Sequence, residues 1–203
     1  MLAGAAAHAN VFYPFDTDVQ GFSLVGDGTL VHETAVGNGY LRVTDTNGST
    51  DVYLNLPLRS PPVDWTGYLG GTFAFDAIML NCIAPSWPDF GTVRLTSAVG
   101  EVAYADLAPD VGGVITEPGT TWKTYVGTLN ATTFNQGTAP LATVLARLQS
   151  VTVSMEAGNG PVEVVGVDNL KVSTVPEPET WALTVAGLLA LGARLRARYP
   201  KRA

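Results

Sequence analysis

The sequence predicts an all-β protein: a jelly-roll-like β-sandwich with one short helix, followed by a C-terminal hydrophobic helix. Three observations lead there. Apolar residues come in short alternating bursts, the period of a strand half-buried against a core. The 203 residues include 22 Gly and 13 Pro, which punctuate those bursts with turns. Only 14% of the residues are charged while 46% are apolar, enough for a core and too much for a disordered chain. The length suits one domain with short appendages: a leader remnant over 1–9, the sandwich over 10–174 and a tail over 175–203.

The elements follow in order. Leu30-Val31-His32-Glu33 is strand-like, and Tyr40-Leu41-Arg42-Val43-Thr44 and Asp51 to Leu56 alternate clearly. Gly70-Gly71 opens a strand from Thr72 to Ile78. Thr92 to Thr96, Trp122 to Val126, Val151 to Glu156 and Val162 to Val172 complete the set. Turn chemistry separates them at Gly26-Asp27-Gly28, Gly37-Asn38-Gly39, Asn47-Gly48, Gly112-Gly113, Pro118-Gly119 and Gly158-Asn159-Gly160. One helix is predicted after Pro140, because Leu141, Val144, Leu145 and Leu148 recur at helical spacing. Roughly eight strands and one short helix define a sandwich. Ser173 to Thr180 reads as the linker.

Charge and composition exclude several functions. The net charge is −7, yet five of the 11 Lys and Arg residues (Arg194, Arg196, Arg198, Lys201 and Arg202) lie in the last ten positions. Residues 1–175 therefore hold six basic against sixteen acidic side chains, a net of −10. Such a body repels phosphate backbones, so no nucleic-acid partner is expected. Cys82 is the single cysteine and cannot close an intrachain disulfide.

No enzyme is expected, and no catalytic residue is assigned. The two histidines are His8, in the small-residue N-terminal stretch, and His32, in a strand without a nucleophile motif. Neither a His pair nor a Cys cluster exists for a transition metal. Paired carboxylates on the strands (Asp76, Glu156 and Asp168) carry the alternative of a polysaccharide-active enzyme, since glycoside hydrolysis needs two placed acids. Asp16, Asp18 and Asp168 are candidate ligands for Ca²⁺, which takes carboxylate and carbonyl oxygens and needs no histidine. The sandwich is expected to bring the first and last strands together there. For sugar binding the candidates are Trp65, Tyr68, Trp87, Phe90 and Trp122. Trp87, in the proline-flanked Ala84-Pro85-Ser86-Trp87-Pro88-Asp89, is the expected ligand platform, whereas Trp65 and Trp122 are expected to plug the core.

The ends speak about destination. Ala7-His8-Ala9 is the A-x-A pattern after which signal peptidase cuts, and residues 1–9 read as a truncated signal peptide. At the other end Pro176-Glu177-Pro178 precedes an uncharged stretch from Trp181 to Ala193, with Leu183, Val185, Leu188, Leu189 and Leu191 leaving no polar face. As a helix those thirteen residues span about 20 Å, stretched toward a membrane core of about 30 Å by Arg194 and Arg196 snorkelling. Trp181 suits an interfacial anchor, and Arg194, Arg196 and Arg198 a cytoplasmic stop.

Those three ordered features resemble the PEP-CTERM sorting signal of Gram-negative bacteria. The resemblance implies that exosortase, a membrane-embedded protease-transpeptidase, recognises Pro176-Glu177-Pro178. It further implies passage through the inner membrane to the cell surface or the extracellular polysaccharide matrix. The body resembles laminin B-type (domain IV) modules. The matching stretches are Phe15 to Phe22, Asp64-Trp65-Thr66-Gly67-Tyr68, Gly70 to Asp76, Pro118 to Trp122 and Gly166-Val167-Asp168-Asn169-Leu170. This second resemblance implies a jelly roll shaped like a carbohydrate-binding module. The function expected is therefore a non-catalytic, polysaccharide-binding module exported to the surface, with a purely structural surface protein as the further alternative.

Overall fold

In the computed structural model the residues described are 9–35, 38–47, 51–81, 89–109, 117–158 and 163–175. Among these residues twelve strands form two antiparallel sheets. The strands are β1 (Val11–Tyr13), β2 (Ser23–Val25), β3 (Gly28–Ala35), β4 (Asn38–Asp45), β5 (Tyr53–Asn55) and β6 (Thr72–Asn81). They continue as β7 (Thr92–Ser97), β8 (Val102–Asp106), β9 (Lys123–Thr128), β10 (Gln136–Gly137), β11 (Leu148–Ser154) and β12 (Val164–Ser173). One sheet has the order β3-β4-β12-β6-β9 with β1 added on β12; the other runs β10-β8-β7-β11-β5-β2. This is a jelly-roll-like sandwich, the fold class the alternation predicts.

Period-two burial builds the core. On β4, Leu41, Val43 and Asp45 are buried while Tyr40, Arg42 and Thr44 are half-exposed. On β6, Phe73, Phe75 and Ala77 point inward, to meet Val93 and Leu95 of β7 and Val151 and Val153 of β11 in one hydrophobic cluster. Phe75 stacks on Tyr125 with ring centroids 5.3 Å apart, and Phe90 meets both edge-on.

The helix is shorter than its spacing predicts. α1 spans Leu141–Leu145 and buries Leu141, Val144 and Leu145. Leu148 opens β11 instead, because its amide and carbonyl exchange 2.8 Å hydrogen bonds with Val63. Pairing with a distant backbone outweighs the helical period at that residue. Among the described residues no helix is long and apolar enough to cross a membrane; the stretch Trp181 to Ala193 lies outside them.

One irregularity positions the candidate site. β12 pairs with β4 through Val164–Val167 and with β1 through Leu170–Val172. Between these stretches its register to β6 slips, and Asn169 adopts a left-handed φ of 51°. The Asp168-Asn169 bulge therefore lies where one neighbour of β12 ends and another begins.

Candidate functional site

Because Val165, Val167, Leu170 and Val172 enter the core, Gly166 and Asp168 of β12 face out of the sandwich. Register places Gly166 between Arg42 of β4 and Ile78 of β6. Two residues on, Asp168 faces Asp76 of β6, which in turn faces Thr124 of β9. A Cβ on Gly166 would stand 2.7 Å from Ile78 Cγ2, 3.2 Å from Trp122 Cη2 and 3.3 Å from Tyr40 Cδ2. Glycine is thus what lets both rings close over β12. The rings meet edge-on at 5.8 Å, and Trp122 keeps 44% of its surface exposed. Asn38, Tyr40, Ile78, Leu80 and Trp122 line a groove of about 260 Å³ beside them.

Beside the groove lies a polar network. Asn38 Nδ2 donates to Asp168 Oδ2 at 2.8 Å, and the Asn169 amide donates to Asp168 Oδ1 at 2.7 Å. Asn169 Nδ2 donates to Asp76 Oδ2 at 3.0 Å, and Thr124 Oγ1 to Asp76 Oδ1 at 2.6 Å. Burial pushes the Asp168 carboxyl up; the amides of Asn169 and Asn38 hold it down, and the charges of Asp76 and Asp16 push it further up. Nearby, His32 Nε2 lies 2.7 Å from the Phe15 carbonyl, at a residue held left-handed with φ 52°. His32 therefore pins the chain just after β1.

The expected site residues are placed as follows. Trp122, expected in the core, stands outside; the alternation of β9 explains it, since buried Tyr125 and Gly127 share the parity opposite to Trp122. Trp65 is buried as expected, while Tyr68 and Phe90 are buried as well and present no face to a ligand. Trp87 lies outside the described residues. So do Cys82, Pro176, Glu177, Pro178, Trp181, Leu183, Val185, Leu188, Leu189, Leu191, Arg194, Arg196 and Arg198.

Asp16 and Asp168 are electrostatic neighbours, but Asp18 accepts the Gln20 amide at 2.7 Å and Asp168 has donors on both oxygens. Among the described residues no group of three His, Cys, Asp or Glu side chains could hold a metal ion. The carboxylate pairing is also redistributed. Glu156 belongs with Glu163 and Asp45, all three buried, whereas Asp76 and Asp168 form the pair. Reading the parity of β9 from Tyr125 would have found Trp122. Nothing in the sequence pointed to Tyr40, whose partner ring lies 82 residues away.

No protein-family model and no curated protein matches this chain. Solved structures do. An exo-β-agarase matches with TM-score 0.57 at 12% identity, over 84% of this chain and 26% of its own, so the chain spans about a quarter of that enzyme. A family 30 carbohydrate-binding module of a cellulosomal cellulase from Clostridium thermocellum matches with TM-score 0.52 at 14% identity, over 84% of this chain and 100% of its own. The L4b domain of human laminin alpha-2 matches with TM-score 0.44 at 7% identity, over 61% of this chain and 70% of its own. At these identities the likeness is one of fold: the chain folds as carbohydrate-binding-module jelly rolls do.

Proposed function

We propose that the sandwich is a non-catalytic polysaccharide-binding module and that the Tyr40–Trp122 groove is its ligand face. The carrying observation is an exposed tryptophan held edge-on to a tyrosine over a glycine, beside an asparagine amide. Flat rings accept the C–H faces of sugars while a few placed amides orient their hydroxyls. The jelly-roll fold shared with a carbohydrate-binding module supports the same reading. Trp87 belongs to this proposal as a second platform.

The sorting part rests on sequence alone. Exosortase recognises Pro176-Glu177-Pro178, the segment from Trp181 anchors the chain in the inner membrane before processing, and the module reaches the cell surface or matrix. Replacing those three residues with alanines is expected to leave an unprocessed membrane form; normal processing would end the sorting claim.

The ligand face is tested by retention of the purified full chain on a polysaccharide panel, wild type beside Trp122→Ala and Trp87→Ala. Truncating a ring that packs on a sugar is expected to weaken binding about tenfold or more. Retention unchanged in Trp122→Ala would place the ligand face elsewhere.

A further inference from the structure

We infer that the Asp76–Asp168 pair makes the groove selective for neutral polysaccharide and excludes chains bearing uronate or sulfate; this rests on the groove being the glycan face. Asp76 and Asp168 face each other across the β6–β12 register, directly beside the row that carries Gly166 and Ile78. All four of their oxygens accept hydrogen bonds from neutral donors. Among the described residues neither acid is in an ion pair. Arg42, opposite Gly166 in register, lies 3.6 Å from Glu33 toward the other side of β4, and Lys123, opposite Ala77, sits over the Tyr125 ring at 4.9 Å.

Neutral donors thus hold both carboxylates beside the groove, with no counter-cation paired to either among the described residues. Asp168 is buried and Asp76 half-buried, so charge at this point is screened less than in open water. Burial first, and then Asp76 and Asp16, oppose ionisation of Asp168. An incoming carboxylate or sulfate ester would meet the same repulsion, while a neutral chain meets only rings, aliphatic groups and amides. The net charge of −10 over residues 1–175 acts in the same direction at longer range.

The test uses matched polymers on the full chain: agarose against sulfated carrageenan, and xylan against polygalacturonate, at low and at physiological salt. Wild type is expected to bind a neutral member at least about tenfold more tightly than its anionic counterpart at low salt, with the gap narrowing as salt rises. Asp76→Asn is expected to raise anionic binding several-fold and leave neutral binding in place. Anionic chains bound as tightly as neutral ones, with loss in Trp122→Ala, would overturn the selectivity and leave the glycan face standing. No polymer bound, or binding indifferent to Trp122→Ala, would overturn the glycan face itself. If Asp76→Asn fails to fold, the salt dependence of the wild type decides: a gap that ignores salt is not electrostatic, and the inference fails.

Discussion

Two groups of acids sit at different points along β12, and their company is opposite. At the Asp168 bulge, Asp76 and Asp168 have a donor on each of their four oxygens. At the start of the strand, Asp45, Glu156 and Glu163 are buried together. One oxygen of each is held by a backbone amide, from Asn47, Val52 and Ala157 respectively. The second oxygens, Asp45 Oδ2, Glu156 Oε2 and Glu163 Oε2, have no partner among the described residues. At the bulge neutral donors satisfy both carboxyl groups and fix where they stand. Burial beside other acids raises the two glutamates instead. Burial first, then Glu163, Asp45 and Asp51 as neighbours, raises Glu156 to about 7; burial and Asp45 raise Glu163 to about 7.

The largest expected effect follows from that difference. Both glutamates have folded values above their ordinary 4.5, so the folded chain holds more protons than the unfolded chain between about 4.5 and about 7. Their contribution to stability is therefore full below about 4.5 and is lost as pH rises through about 7. The ceiling is about 3 kcal/mol for each group, less for the coupled pair. Denaturant unfolding between pH 5 and 9 measures it. Glu156→Gln and Glu163→Gln are expected to flatten the slope and to gain relative stability at alkaline pH. A profile level across pH 7 in the wild type would mean that burial does not raise the two glutamates.

Two substitutions sharpen the comparison from the other side. Gly166→Val forces atoms into a space bounded by Ile78, Trp122 and Tyr40, and overpacking of this kind costs about 1–3 kcal/mol. It is expected to lower the unfolding midpoint and to abolish polysaccharide retention together, since the rings must part. Asn169→Ala removes the amide donor to Asp76 and places a Cβ-bearing residue without a local hydrogen bond at φ 51°. The expected loss is about 1–2 kcal/mol, and it would convert the satisfied pair into one resembling the group at the start of the strand. A stability unchanged by Asn169→Ala would show that the donors do not account for the difference.

How much of this was legible in the sequence depends on the range of the interaction. The strand at Tyr40–Thr44 and the long strands at Thr72 and Val162 were readable, because alternation is written locally. The three-residue strands β1 and β2 and the two-residue β10 were not, being too short to show a period. Trp122 was misread for another reason: its face is set by strand parity, and a strand-entry tryptophan gives no parity until an inward neighbour such as Tyr125 is known. The groove depends on register between β4, β12 and β6, which no local pattern encodes. The bulge is partly written in Asp168-Asn169, a dipeptide suited to turns and to positive φ, but its role in separating β1 from β4 is a tertiary fact.

Calcium is the smallest expected effect and bears directly on the satisfied pair. Binding at Asp16, Asp18 and Asp168 is a proposal with a definite requirement. The ion must displace the Asn38 and Asn169 donors from Asp168, and Asn38 must turn its amide oxygen inward in place of its nitrogen. Asp18 must also release the Gln20 amide. Each displaced bond opposes binding by about 1 kcal/mol, so most of the gain from coordination is offset. A ligand that binds only the folded chain stabilises it in proportion to the logarithm of its saturation. With the offset, excess Ca²⁺ is expected to raise the unfolding midpoint by no more than about 2–4 °C, reversed by EDTA and absent in Asp168→Asn. A midpoint indifferent to both reagents would remove calcium from the account. A much larger rise would break the comparison at its root, because the pair at the bulge would then be a cation cage whose amide donors are only its resting partners.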